Sequence, residues 1–374
     1  MNLTISILFW MFSLFSFQIF AQDNSPLFFD NRSYPISMDE NVTAGIALGD
    51  IDSDGDIDLI ESNGRHWPHA SYVYFNAENR GFSKRVQLGF DHTTGYRVIL
   101  VDLNNDNHLD IVMAADKLEN RLYFNDGKGN FSAITNFGSI QSNTRSLTVT
   151  DINNDGSPDV LEICRGTSNN IFLNDGKGYL KFSGTFGNLK DSTLDVAVAD
   201  MNGDKIVDLI LANRDGQQNQ ILLGTSEMTF ESPIDYGNGD DDTRGVAVAD
   251  LNADGLMDII TVNIGSPNGV ILNKGDGKFL PEQPFGGDDY SYALKVVDID
   301  DDGDKDVIVA NVEAKNELYL NNGEGQLILN SEFGDPEART YALDVGKINK
   351  DDKLDIVTGN SRSMNSIYYQ INKK

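Results

Sequence analysis

Seven short stretches of this 374-residue chain place carboxylates and amides at a spacing that suits a hard cation. Six follow the frame Asp-x-Asp/Asn-x-Asp-Gly-x-x-Asp or a near copy of it. They are Asp50, Asp52, Asp54 and Asp58; Asp102, Asn104, Asp106 and Asp110; Asp151, Asn153, Asp155 and Asp159; Asp200, Asn202, Asp204 and Asp208; Asp250, Asn252, Asp254 and Asp258; and Asp298, Asp300, Asp302 and Asp306. Positions 1, 3, 5 and 9 offer side-chain oxygens, and position 7 offers a backbone carbonyl. Calcium takes roughly six to eight oxygens in an adaptable shell, which this donor set can supply. Position 6 needs a left-handed backbone, which Gly adopts freely and Asn107 tolerates. Lys205 at that position makes the fourth loop the weakest of the six. The seventh copy carries Lys347 at position 1, where its ammonium can stand in for an ion. Three or four carboxylates packed this closely would repel one another without a cation. Up to six structural Ca²⁺ ions are therefore expected, as staples and not as catalysts.

A second set of residues suits a different chemistry. Arg97, Arg145, Arg244 and Arg339 stand just before or at the start of alternating apolar runs, and Arg65, Arg165, Arg214 and Arg362 follow the next apolar run in their repeats. His66, His69, His92, Trp67, Tyr96, Tyr290, Tyr292 and Tyr341 accompany them. Arginine forks bind carboxylates and sulfates bidentately, and aromatic faces stack on sugar rings. His or Tyr can move a proton. The expected partner is an anionic, uronate-containing and possibly sulfated poly- or oligosaccharide. Its C5 proton becomes removable once arginine neutralises the neighbouring carboxylate and so stabilises an enolate-like intermediate. The residues expected to act on that proton and on the departing C4 oxygen are His66, His92, Tyr96, Arg97, Tyr292 and Tyr341. Arg65, Trp67, His69, Arg145, Arg165, Arg214, Arg244, Arg339 and Arg362 are expected to bind the sugar. If the departing oxygen belongs to a sugar, the reaction is that of a polysaccharide lyase; if it leaves as water, that of an oligosaccharide dehydratase. A noncatalytic carbohydrate-binding or adhesion module is the alternative. Arginines that merely neutralise acidic neighbours, such as Asp240–Asp242 beside Arg244, would explain the same pattern without a site.

Both sets recur because the chain itself recurs. The acidic loops start 52, 49, 49, 50, 48 and 49 residues apart, so one repeat architecture covers the sequence. In each unit an alternating run (RVILVD, DVAVAD) precedes the loop and an apolar run (LDIVMA, VDLILA) follows it. A third run ends in a Gly-rich turn, and a fourth starts at the next Phe. These are period-two strands with no helical periodicity. Four antiparallel strands, seven times over, predict an all-β, seven-bladed β-propeller. The chain stops after a third strand near Asn365–Asn372 and begins with a fourth-strand-like Leu27–Asp30. The N-terminal strand should therefore complete the last blade and close the ring. In that geometry the acidic loops share one face and the arginines the other.

With Phe137-Gly138, Phe186-Gly187, Phe285-Gly286 and Phe333-Gly334 set 13 or 14 residues before the loops, and Leu88-Gly89 and Tyr236-Gly237 as looser copies, residues 27–374 resemble the FG-GAP/VCBS repeat family. That family includes the integrin α-subunit propeller. The resemblance implies the propeller fold but little about function, because the family spans adhesion domains, lectins and enzymes. The architecture is also similar to propeller polysaccharide lyases, including those for sulfated algal polymers such as ulvan.

Charge and composition exclude other classes. With 58 acidic against 29 basic residues the net charge is −29, which would repel a nucleic-acid backbone. Cys164 is the one cysteine, so no intrachain disulfide and no cysteine-built zinc site can form, and its apolar run marks it as a packed thiol. No G-x-S-x-G motif occurs in a strand-turn-helix context. His108, at position 7 of the second loop, is expected to be solvated, and Tyr123 and Tyr319 to pack between blades. Residues 1–21 carry an apolar, uncharged run, Ile5–Ala21, before polar Asp23-Asn24-Ser25. This is the shape of a cleaved signal peptide despite an n-region without Lys or Arg. Export to the periplasm or medium is expected, with residues 22–374 forming a single propeller that is monomeric and not inserted in a membrane.

Overall fold

The computed structural model describes residues 27–77, 81–90, 92–240 and 242–371; the expected signal segment, residues 1–21, lies outside them. Alternation of apolar and polar residues produces strands, and the Gly- and Asn-rich turns reverse them. The described strands form seven four-stranded antiparallel sheets, with no helix among the described residues. Six sheets take their strands in sequence order. The seventh joins Thr340–Gly346, Asp355–Asn360 and Ser366–Gln370 to the N-terminal strand Phe28–Pro35. The ring is thus closed by the first strand, as the sequence predicts, which removes a free sheet edge.

The core lies between the blades. Seven apolar clusters each draw on two neighbouring sheets. One joins Ile60, Val73 and Phe75 of blade one to Val98, Ile111 and Tyr123 of blade two. Tyr319 fills the corresponding place between blades five and six. Cys164 is fully buried, and burial pushes its thiol up to about 12, consistent with a packing role. The Phe-Gly pairs close each blade, Phe137, Phe186, Phe285 and Phe333 being buried and the following glycines left-handed.

Polar clasps link the blades on both faces. At the acidic-loop face, an Asn at or just past the end of a third strand donates to a carbonyl of the preceding blade: Asn125 to Ile51, Asn174 to Leu103, Asn273 to Met201 and Asn321 to Leu251. Asn76 reaches Ile348 and so locks blade one onto blade seven. At the other face, Asn365 donates to Thr43 Oγ1 and to the buried Glu61.

Candidate functional site

The position-9 aspartates anchor all seven acidic loops. One carboxylate oxygen accepts the N–H of loop position 2, as Asp58 does from Ile51, and the other accepts the N–H ending strand three, as from Asn76. Asp355 in the seventh loop makes the same pair of bonds to Ile348 and Gln370. Burial pushes the carboxyls of Asp58, Asp110 and Asp355 up to about 6, and that of Asp306 up to about 7. Position 6 is left-handed throughout, including Lys205 at φ 69° and Asn107 at φ 66°.

The six candidate loops also differ at position 3. In loops one and six, position 3 is Asp, and ligand oxygens of Asp50, Asp52 and Asp58, or of Asp298, Asp300 and Asp306, lie within 4.8 Å of one another. Asp52 Oδ1 and Asp298 Oδ1 are buried without a hydrogen-bond donor. Such orphaned carboxylate oxygens fit a bound cation. In loops two to five, position 3 is Asn, and its amide donates to the position-5 carboxylate over 2.8–3.0 Å, as Asn153 does to Asp155 and Asn202 to Asp204. In the seventh loop, Lys347 pairs at 3.6 Å with the exposed Asp352 instead of filling an ion's place among positions 3, 5 and 9. His108 also departs from expectation. Its ring is half-buried against the next turn, where a Cβ on Gly127 would meet it at 2.3 Å.

The opposite face is built from a strand irregularity that the sequence does not advertise. Every inner strand carries a register shift at its entry, between Thr43 and Gly45, Gly95 and Val98, Thr144 and Ser146, Thr193 and Asp195, Thr243 and Gly245, Ser291 and Ala293, and Thr340 and Ala342. A bulge re-aims the side chain it contains. The residues so placed are Ala44, Tyr96 with Arg97, Arg145, Leu194, Arg244, Tyr292 and Tyr341. All but Leu194 line an axial cavity of about 610 Å³.

Arg65 reaches over this mouth from the longest of the loops joining strands two and three, residues 64–71. Its guanidinium lies 3.7 Å from the Tyr341 ring centroid and 5.7 Å from that of Tyr96. Burial would lower its pKa, but the Tyr96 and Tyr341 phenols outweigh this and raise it. Arg244 lies 5.3 Å from the Tyr292 centroid; burial lowers its pKa, and the charge of Arg65 adds to that effect. Tyr292 and Tyr341 meet edge to face at 4.7 Å. Among the described residues, neither Arg65, Arg97 nor Arg244 forms a salt bridge. Asp242 is engaged elsewhere, accepting from the Asp215 N–H.

Beside them lies a hydrogen-bonded chain. Tyr96 Oη is 3.2 Å from His66 Nε2, His66 Nδ1 is 2.8 Å from Asp116 Oδ2, and Arg145 Nη1 donates to Asp116 Oδ1 at 2.7 Å. The Arg145 guanidinium also covers the Tyr96 ring at 4.7 Å. Burial favours protonation of Asp116, yet its bonds to Arg145 and His66 prevail and hold the carboxyl below its ordinary range.

Other expected residues stand apart. Arg165 clamps Asp215 bidentately, Arg214 leans on the same carboxylate at 3.5 Å, and Arg339 pairs with Glu313, so these three neutralise local acids. Arg362 is exposed and left-handed, its N–H donating to Asn41. Trp67 is 71% exposed, His92 is exposed, and His69 joins Thr93 through its backbone. Asp116 is the residue the sequence reading missed, because nothing in its local spacing marks it.

The FG-GAP-like repeat model matches residues 102–162, 151–211, 200–261, 251–309 and 298–358. The chain belongs to the FG-GAP-like repeat family. No curated protein matches it. Among solved structures, this FG-GAP-like propeller is similar to BBS1N in its complex with ARL6DN, at TM-score 0.64 and 12% identity, covering 94% of this chain and 99% of that one. It is also similar to the BP39L lectin from Burkholderia pseudomallei, at TM-score 0.65 and 9% identity, covering 89% and 99%. At these identities the likeness is one of fold alone.

Proposed function

We propose that this FG-GAP-like propeller acts on anionic, uronate-containing oligo- or polysaccharides at its arginine-lined mouth by β-elimination. The observation that carries this is the Tyr96–His66 hydrogen bond set beside Arg65 and Arg244, two guanidiniums without a salt bridge among the described residues, the Asp195 carboxylate acting on Arg244 only as a neighbouring charge on the cavity wall. Like charges held together at a partly buried site are costly until an anion joins them. A uronate carboxylate supplies that anion, and its neutralisation makes the adjacent C5–H acidic enough to remove.

In the reaction the C5–H bond breaks toward one member of the His66–Tyr96 pair. The C4–O bond breaks, a C4–C5 double bond forms, and the departing oxygen takes a proton from the other member. Tyr292 and Tyr341 give aromatic faces at the same mouth, Tyr341 lying against the Arg65 guanidinium, and Arg97 is an exposed cation on the cavity wall. The acidic loops fit Ca²⁺ as a staple between strands one and two, with loops one and six offering the most convergent oxygens. When bound, the ion supplies charge neutralisation at that face and takes no part in the reaction.

The test is near-ultraviolet absorbance from a C4–C5 double bond, followed with calcium present over uronate-containing polymers and their oligosaccharides. A rise on polymer with chain shortening identifies a lyase, and a rise on oligosaccharides without shortening identifies a dehydratase. A folded protein that binds these sugars without any rise would overturn elimination. It would favour the second reading, a noncatalytic carbohydrate-binding propeller, to which the lectin likeness in fold lends support.

A further inference from the structure

We infer that Asp116 is a positioning residue: clamped by Arg145, it fixes the imidazole proton of His66 on Nδ1 and leaves Nε2 to accept from the Tyr96 hydroxyl. Its functional meaning rests on the elimination reading above, but the tautomer it specifies does not.

The argument starts from placement. Asp116 directly follows the second strand of blade two. Matched by the inner-strand pairing, the other blades hold Gly64, Arg165, Arg214, Ile264, Val312 and Ser361 there, so this is the one carboxylate at that position. Its backbone is tied at both ends, the N–H donating to Thr94 O at 3.2 Å and the carbonyl accepting from Thr94 Oγ1 at 2.7 Å. The side chain is 4% exposed, and each of its oxygens has a separate donor.

Arg145 is permanently charged and lies 2.7 Å from Asp116 Oδ1, and this buried charge pair keeps the carboxylate ionised. An ionised carboxylate has no proton to give His66, hence Nδ1 must carry one. In the neutral ring, Nε2 is then the lone-pair nitrogen, and the 3.2 Å contact is a bond from Tyr96 O–H to Nε2. The chain therefore has one polarity, from Tyr96 through His66 to Asp116. A proton released at Tyr96 has a base waiting for it, and the imidazolium that forms has Asp116 beside it.

Asp116→Asn should reverse this polarity without altering size. Arg145 claims the amide oxygen, which turns the amide NH₂ toward His66 Nδ1. Nδ1 must then accept, the proton moves to Nε2, and Nε2 can only donate to Tyr96. Removing the clamp as well, in Asp116→Asn with Arg145→Leu, frees the amide to turn its oxygen back to Nδ1–H.

The measurement is two-bond ¹⁵N–¹H correlation of ¹⁵N-histidine-labelled full-length protein, with His66 assigned by its loss in His66→Gln. The expected result is a protonated Nδ1 in the wild type, a protonated Nε2 in Asp116→Asn, and return toward protonated Nδ1 in the double variant. Turnover of a uronate substrate should fall ~10³-fold or more in Asp116→Asn through kcat, with KM little changed. A wild-type ring protonated on Nε2, or a tautomer indifferent to Asp116→Asn, would overturn the inference. The expected tautomers in a protein that yields no product from any uronate would support the role of Asp116 and remove the elimination reading instead.

Discussion

The two faces of this propeller obey different rules. On the acidic-loop face, all seven blades repeat one arrangement: a position-9 aspartate accepting two backbone N–H groups, with a left-handed residue at position 6. On the opposite face, the fold repeats while the side chains do not. Seven equivalent bulges present Ala44, Tyr96 with Arg97, Arg145, Leu194, Arg244, Tyr292 and Tyr341, and a single carboxylate, Asp116, ties His66 to Arg145. Repetition marks what every blade needs in order to fold, and the asymmetry is what the proposed binding of one ligand would need. A symmetric ring of like residues would offer one chemistry seven times over. This ring instead places acceptor, donor and cation at different points around the axis.

The sharpest way to break the comparison is at the asymmetric face. Tyr96→Phe and His66→Ala should each cut turnover by ~10²–10⁴-fold while leaving most binding intact, read as double-bond absorbance against calorimetric titration. On the repeated face, chelating calcium should lower the melting temperature. A site held at about 100 times its dissociation constant adds ~2.7 kcal/mol, so a melt indifferent to chelator and to added calcium would remove the staples. Asp306→Asn and Asp355→Asn then separate anchoring from ion binding. Each loses one of two backbone acceptors, at about 1–3 kcal/mol. The Asp306 variant should also lose one site's share of the stabilisation by calcium, which the Asp355 variant keeps in full.

Arg244→Met should show the reverse trade between the faces. Binding of a uronate oligosaccharide should weaken about tenfold, while the ligand-free protein gains up to about 1 kcal/mol from relief of buried like charge. A variant both weaker in binding and less stable would mean that Arg244 is a structural residue. The smallest effect lies in the pH dependence at Asp116. Its carboxyl is held below the ordinary value, so its stabilisation is complete above the unfolded value of roughly 3.9. It is lost as pH falls through the folded value. The stability difference between wild type and Asp116→Asn should therefore shrink on acidification below about pH 4, and a difference that grew instead would reverse the sign of the shift.

Most of the fold is legible in the sequence because its determinants are local and repeated seven times. Strand alternation, turn glycines and the nine-residue acidic frame each lie within a few residues. The near-50-residue period implies a ring, and the segment expected to close it, Leu27–Asp30, overlaps the strand Phe28–Pro35 that does so in the structure. The chemistry of the arginine face is legible only as a bias in residue type. Spacing alone cannot tell Arg165, Arg214 and Arg339, which form salt bridges, from Arg65 and Arg244, which form none among the described residues. His92 stands near His66 in sequence, but among the described residues no hydrogen bond or ring contact brings it into the Tyr96–His66–Asp116 chain.

Short-range pattern and periodicity are enough to specify the propeller, its closure, its two faces and the donor frame of each loop. Which side chains meet across the axis is set by the folded ring. Asp116 and His66 lie fifty residues apart and Arg65 and Tyr341 far more, and they come together because ring closure sets consecutive blades side by side and turns their bulged inner strands toward one mouth.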